Sequence, residues 1–193
     1  MTVTNSTKPP EFFSTPSDIS VDSTRRPAVF FDRDGVLNRD VGYLHRPEEF
    51  EWLEGAKTAI RLCNQAGYFV FVVTNQAGVA RGYYEESDVE KLHAWISAEL
   101  ARERAHVDAF EYCPHHLDGV RDEYRRACRR RKPQPGMILD LLANWPVDKE
   151  ASFLIGNTQS DLDAAAAAGI AAHLYQSGDL AAFVAARLKT RLL

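Results

Sequence analysis

The feature that most constrains the fold of this chain is an alternation. From Pro27 onward, short apolar runs are separated by stretches with helical periodicity. The runs are "AVFF" (28–31), "YFVFVVT" (68–74), "AFEY" (109–112), "ASFLIG" (151–156) and "IAAHLY" (170–175). They have the length of strands and are too continuously apolar for a sheet with one wet face. They therefore predict parallel strands covered on both sides. The intervening segments "EGAKTAIRLCNQAG", "EESDVEKLHAWISAELARER", "PGMILDLLANW" and "QSDLDAAAAAG" predict helices, and "GDLAAFVAARLKTRLL" predicts a closing one. Glu85, Glu86 and Asp88 stand where acids favour the positive end of a helix, and Gly67 and Gly169 stand where helices should stop. The expected class is α/β, a mainly parallel sheet with right-handed crossovers and helices on both faces.

Bulk properties narrow the function classes. A chain of 193 residues supports one well-buried domain, and its 45% hydrophobic and 26% charged content is ordinary for a globular protein. Residues 1–26 are rich in Ser, Thr and Pro and lack a basic start followed by an apolar core. They read as a disordered tail, with docking of Phe12 and Phe13 on the domain not expected, ahead of a domain over 27–193. No apolar stretch approaches the roughly 20 residues that span a bilayer, so no membrane is expected. Three cysteines do not make a secreted disulfide framework, and a cytoplasmic protein is expected. A net charge of -4 gives no general case for nucleic acid. The basic run "RRACRRRK" (125–132) is short and belongs to an acidic chain, so it reads as a mostly solvated face.

In open α/β sheets, ligands gather at the carboxyl ends of the strands. There the sequence places Asp32, Arg33 and Asp34 after the first run, and Thr74, Asn75, Gln76 and Ala77 after the second. Arg131 and Lys132 precede the third helix, and Asn157 and Asp161 follow the fourth run. Carboxylates, a hydroxyl, amides and cations in one place suit phosphoryl chemistry. A carboxylate can attack phosphorus and split one difficult hydrolysis into two steps. Mg²⁺ takes oxygen ligands, commonly one or two carboxylates plus phosphate and water. A lysine and a hydroxyl stabilise the charge on the transferring group. Singly, each piece has a plain explanation: a solvated turn for "D-x-D-G", turn chemistry for Thr-Asn-Gln, a surface lysine, a helix cap at Asp161. Their order and common placement favour a site.

The motifs "FFDRDGVLN", "DVGYLHRPEEFEWLEGA", "VVTNQAGVARG", "YCPHHLDG", "CRRRKPQPGM" and "IGNTQSDLDAAAAAG" together resemble the haloacid dehalogenase (HAD) superfamily of aspartate-nucleophile phosphatases. Within it they resemble the D-glycero-D-manno-heptose 1,7-bisphosphate phosphatases, with histidinol-phosphate phosphatases as near relatives. The resemblance runs from about Ala28 to about Tyr175. It implies a HAD-like Rossmannoid fold without a large cap domain, a small phosphorylated metabolite as partner, and a role in making bacterial surface glycans; a monomer is expected. By position, Asp32 resembles the nucleophile and Asp34 the acid/base, whose main-chain carbonyl is also a metal ligand. Thr74 and Lys132 resemble the phosphoryl-holding pair. Asp32, Asp34 and Asn157 occupy the Mg²⁺ positions. Arg33, Arg131, the loop of Asp40, Val41, Gly42 and Tyr43, and the run Asn75, Gln76 and Ala77 fall at substrate-binding positions.

Two positions depart from the family pattern. Gly156-Asn157-Thr158 stands where relatives have Gly-Asp, exchanging a charged ligand for an amide dipole, which lowers affinity for a hard cation. Three readings follow: a phosphatase with weakened metal binding, which the intact remainder of the site favours, a phosphate-binding relic, or a chain altered from an Asp-bearing parent. Relatives also often carry Cys-x-His followed by Cys-x-Cys, a four-ligand zinc site. Here Cys113, His115 and Cys128 fit, but Arg130 stands at the last position. The favoured reading is a pair of reduced thiols in a loop held by packing, with zinc as the alternative.

Overall fold

The structure, a computed structural model, describes residues 25–188. The expected tail up to residue 24, with Phe12 and Phe13, and the end of the expected closing helix lie outside the described residues. The chain begins with β1 (Ala28–Phe31), α1 (Ala56–Gln65), β2 (Phe69–Asn75) and α2 (Glu86–Arg102). It continues with β3 (Ala109–Cys113), α3 (Gly136–Asn144), β4 (Phe153–Gly156), α4 (Gln159–Ala168), β5 (Ala171–Leu174) and α5 (Leu180–Ala185). The five strands form one parallel sheet in the order β3-β2-β1-β4-β5.

The sheet separates two hydrophobic layers by the period of two in its strands. Val29, Phe31, Val70, Val72, Phe153 and Ile155 face α1, α2 and α5. Ala28, Phe30, Phe69, Phe71, Val73 and Leu154 face α3 and α4. All four residues of β1 are fully buried, and each large apolar side chain so buried contributes about 1.5–3 kcal/mol. Coverage on both faces holds for the central strands only. β5 is an edge strand, and Ala171 and Leu174 stay exposed, since an outermost strand lacks a neighbour on one side. β4 begins two residues later than its apolar run, because Ser152 turns the chain. Its hydroxyl accepts from the Ala28 N–H (2.8 Å) and donates to the Asp148 carbonyl (2.5 Å). The α1 and α4 helices stop short of Gly67 and at Gly169, and Glu85 and Asp88 form a reciprocal cap on α2.

Two connections are long, 32–55 after β1 and 114–135 after β3, and no large cap is inserted. The first is pinned by Leu44 and Phe50 in the core and by bonds from Arg39 N to Glu51 O (2.9 Å) and Leu53 N to Leu37 O (3.0 Å). Both loops rise from the carboxyl edge of the sheet. Among the described residues, no helix is long and apolar enough to cross a membrane.

Candidate active site

The strand register decides what meets what. Phe31 pairs with Val72 on one side and Ile155 on the other, so the residues just beyond these strands end side by side. A cavity of about 400 Å³ opens there. Of the residues expected in the site, Asp32, Asp34, Asp40, Gly42, Tyr43, Thr74, Asn75, Gln76, Ala77, Lys132 and Asn157 all line it.

Lys132 is the electrostatic centre. Its ammonium lies 2.7 Å from Asp32 Oδ1 and 2.6 Å from Asp161 Oδ1, and it donates to the Val73 carbonyl at 2.8 Å. Three N–H groups thus meet three oxygens in a site where Lys132 is only 4% exposed. Burial works against the ammonium, but the two carboxylates outweigh it and its pKa rises. Burial also pushes Asp32 up to about 6, with Lys132 pulling it down and Asp161 adding to the rise. Asp161 fills both roles open to it in the sequence. One oxygen pairs with Lys132, and the other caps α4 by accepting from Thr158 N (3.0 Å) and Thr158 Oγ1 (2.7 Å).

Asp34 is held by donors on every prong. Arg33 reaches it through Nε (3.2 Å) and Nη2 (2.9 Å), Asn38 Nδ2 at 3.0 Å and Gln76 Nε2 at 3.1 Å. Arg33 was expected to touch substrate, and the structure corrects this. Its side chain is 0% exposed, lies outside the cavity wall, and clamps Asp34 while donating to the Leu44 carbonyl at 3.0 Å. A buried guanidinium is tolerable because that carboxylate neutralises it and, with the carbonyl, accepts from Nε and Nη2, while Nη1 has no hydrogen-bond partner. Asn75 turns its amide to the backbone, receiving the Lys132 N–H and donating to the Lys132 carbonyl, both at 3.0 Å. It therefore fixes the lysine from a separate loop.

The remaining expected residues sit at the margin. Val41 is exposed beside Gly42 and does not line the cavity. Arg131 lies in an adjoining cavity of about 420 Å³ that shares Lys132, with Nη1 3.3 Å from the His115 carbonyl. Sequence reasoning gave no role to Asn38, Tyr84, Thr158 or Ser160. Tyr84, Thr158 and Ser160 line the cavity, and Asn38 supports it from behind. Asn38 closes the "FFDRDGVLN" motif, a signal that was present, whereas Tyr84 lies past the "VVTNQAGVARG" motif and carried none.

The donor set suits Mg²⁺. One oxygen of Asp32 is engaged by Lys132, which leaves Oδ2, and Asn157 Oδ1 is buried with no hydrogen-bond partner. Asn157 reaches this position over Gly35, where φ is +82° and a Cβ would come within 2.1 Å of Nδ2. An orphaned amide oxygen in a cavity that Asp32 also lines matches the all-oxygen preference of this ion.

The cysteine loop brings its three expected ligands together. The ligand atoms of Cys113, His115 and Cys128 lie within 4.8 Å of one another, with Cys113 Sγ 3.8 Å from His115 Nδ1. Arg130, half-buried, forms ion pairs with Glu111 and Asp140. Burial pushes the Cys113 thiol up to about 12.

Residues 129–189 match the HAD-hydrolase-like family. The chain is 49% identical over 166 residues to the D-glycero-β-D-manno-heptose-1,7-bisphosphate 7-phosphatase of Rhodopseudomonas palustris, covering 86% of this chain and 92% of that protein. It is 41% identical over 144 residues to the protein of the same name from Escherichia coli K12, covering 75% of each. Among solved structures it is similar to a D,D-heptose 1,7-bisphosphate phosphatase from B. bronchiseptica complexed with magnesium and phosphate. There the TM-score is 0.71 and the identity 33%, with 86% of this chain and 89% of that one covered. With the aspartates, threonine and lysine converging at the sheet edge as described, likeness of this extent makes the chain a member of the HAD-superfamily phosphatases, closely related to the D-glycero-D-manno-heptose-1,7-bisphosphate 7-phosphatases.

Proposed function

We propose that this protein hydrolyses the 7-phosphate of D-glycero-D-manno-heptose 1,7-bisphosphate with Mg²⁺, through a phosphorylated aspartate. The observation that carries the reading is the Lys132 ammonium bridging Asp32 and Asp161 in a cavity that also holds Thr74, Asp34 and Asn157. Asp32 Oδ2 and Asn157 Oδ1 would hold the ion, with the Asp34 main-chain carbonyl where the family resemblance puts it. When bound, Mg²⁺ neutralises phosphate charge and polarises the phosphoryl group.

The residues of the chain account for the rest. The Asp32 carboxylate attacks phosphorus, an acyl phosphate forms on it, and the P–O bond to the sugar breaks. Asp34 gives a proton to the leaving oxygen and later takes one from the water that attacks the same phosphorus, which frees Asp32. Donors from Arg33, Asn38 and Gln76 aim its carboxylate. Lys132 and Thr74 stabilise charge on the non-bridging oxygens, with an arriving phosphoryl oxygen competing with Asp32 Oδ1 for the ammonium. Asp40, Gly42, Tyr43 and Ala77 line the cavity, and Arg131 borders it. These would meet the sugar and its second phosphate.

A phosphate-release panel across a Mg²⁺ titration tests this. Release from the heptose bisphosphate should exceed release from histidinol phosphate, and Asp32→Asn should lower kcat by at least about 10³-fold. Preference for histidinol phosphate would change the substrate. Asn157 favours a second reading, a sugar-phosphate binder without turnover. Beryllium trifluoride trapped at Asp32 together with measurable turnover would exclude it.

Three finer readings accompany the proposal. The cysteine loop works without zinc, since structural zinc takes four ligands and Arg130 is committed to acids. The chain acts as a monomer in the cytoplasm, the location in keeping with three unbridged cysteines. The partner is a metabolite and not nucleic acid. In the basic run, Arg125 pairs with Asp122, Arg129 with Asp140, and Arg130 with Glu111.

A further inference from the structure

Hydrogen-bond direction around Gln76 can be worked out atom by atom. Asp34 Oδ2 is ion-paired with Arg33 at 2.9 Å, and before it takes up the proton used in catalysis the carboxylate only accepts. The Gln76 atom 3.1 Å from Asp34 Oδ2 is therefore Nε2, and the same nitrogen stands 2.8 Å from Thr74 Oγ1. Its second N–H is given to Thr74, whose oxygen accepts. Gln76 Oε1 then faces the Tyr84 phenol at 2.7 Å, and Tyr84 donates. A hydroxyl carries one proton. That of Tyr84 goes to Gln76, and that of Thr74 is left for the cavity. With the amide reversed, an oxygen would face Asp34 and Thr74 would give its proton to the protein.

We propose that Tyr84 is a positioning residue: its O–H fixes the Gln76 amide, so that Asp34 and Thr74 each receive an N–H and the Thr74 hydroxyl is free to donate to a phosphoryl oxygen. The inference rests on the phosphatase reading of this cavity. Two further features fit it. The His45 ring stacks on Tyr84 at 4.8 Å and 14°. A Cβ on Gly78 would come within 2.1 Å of the phenol ring, so this glycine is what lets the ring lie over the loop. Burial raises the Tyr84 phenol to about 12, which keeps it a donor at neutral pH.

The test uses the full chain at saturating Mg²⁺. Tyr84→Phe keeps the ring and removes the O–H. Turnover of the heptose bisphosphate should fall about tenfold with KM within about twofold, the loss expected for one hydrogen bond made in the transition state. Orthovanadate, which imitates five-coordinate phosphorus, should bind about tenfold more weakly. Gln76→Glu has the same shape and accepts from Tyr84, but offers no N–H to Thr74 or Asp34, so it should lose more by both measures. If Tyr84→Phe matches the parent within about twofold in kcat and vanadate affinity, the proposal falls. It falls equally if Gln76→Glu is no worse than Tyr84→Phe. Should Tyr84→Phe fail to fold, Gln76→Glu with parental kcat and vanadate affinity would overturn the proposal, and a loss in both would support it. A parent that binds vanadate yet leaves the heptose bisphosphate intact defeats the substrate reading alone, because the vanadate comparison still decides the role of Tyr84.

Discussion

The Lys132 ammonium stands 2.7 Å from Oδ1 of Asp32, with both side chains buried. Asp32 and Lys132 are a hundred residues apart in sequence, and the lysine reaches the aspartate because Asn75 grips its backbone with two hydrogen bonds. The pair keeps the attacking carboxylate charged in a site where burial alone would neutralise it.

Removing that cation should be costly. Lys132→Met leaves Asp32 and Asp161 buried without a counter-charge, and an uncompensated buried charge costs about 3–5 kcal/mol. Urea unfolding at pH 7.5 should register a loss of about that size, shrinking toward pH 5 as Asp32 takes up a proton. A change below about 1 kcal/mol would mean that the pair contributes no more than an exposed one.

Asn157→Asp should have opposite effects with and without metal. The site already gathers three carboxylates, Asp32, Asp34 and Asp161, against Arg33 and Lys132. A fourth negative group lowers the melting temperature of the metal-free protein. With Mg²⁺ present the order reverses, and titration calorimetry should find binding about tenfold tighter, worth about 1.4 kcal/mol. Equal or weaker binding in the variant would refute the view that the amide limits metal affinity.

His93 supplies a pH dependence away from the site. Its ring stacks on Phe110 at 4.5 Å, Nε2 has no partner, and burial, with Arg33 adding to it, lowers its pKa to about 3. An unfolded histidine takes up its proton near 6.5. Between those values the unfolded chain holds more protons, so stability falls as pH falls, by up to about 1.4 kcal/mol per unit. Above pH 6.5 the contribution is constant. His93→Leu should flatten the stability profile between pH 6 and 4 in urea titrations, and identical slopes for the two proteins would contradict the assignment.

Metal analysis addresses the cysteine loop. The purified chain should carry well under one zinc, and a chelator should leave its melting temperature unchanged. Arg130→Cys supplies the fourth thiolate and should raise zinc content to near one per chain. Stoichiometric zinc in the parent would show that Cys113, His115 and Cys128 suffice.

Much of this was legible in the residues. The apolar run at 28–31 maps onto β1 residue for residue, because a central strand covered on both faces leaves a continuous hydrophobic signal. β5 was placed correctly but misjudged in burial, since being outermost is a property of the sheet and not of "IAAHLY". Arg33 was misassigned for a related reason. A guanidinium next to two catalytic-type aspartates reads as a phosphate contact until the 32–55 loop folds over it and brings Leu44 to its side.

By itself the sequence determined the strand–helix order, the chemistry gathered at the strand ends and the two departures, Asn157 and Arg130, because periodicity and residue type are local properties. Only the tertiary structure decided which protons are given and which received: that Asp161 serves both Lys132 and the α4 cap, that Asn75 holds a backbone, and that Tyr84 orients Gln76. Hydrogen bonds act over about 3 Å, and distances of that order between remote residues exist only once β1, β2 and β4 are in register.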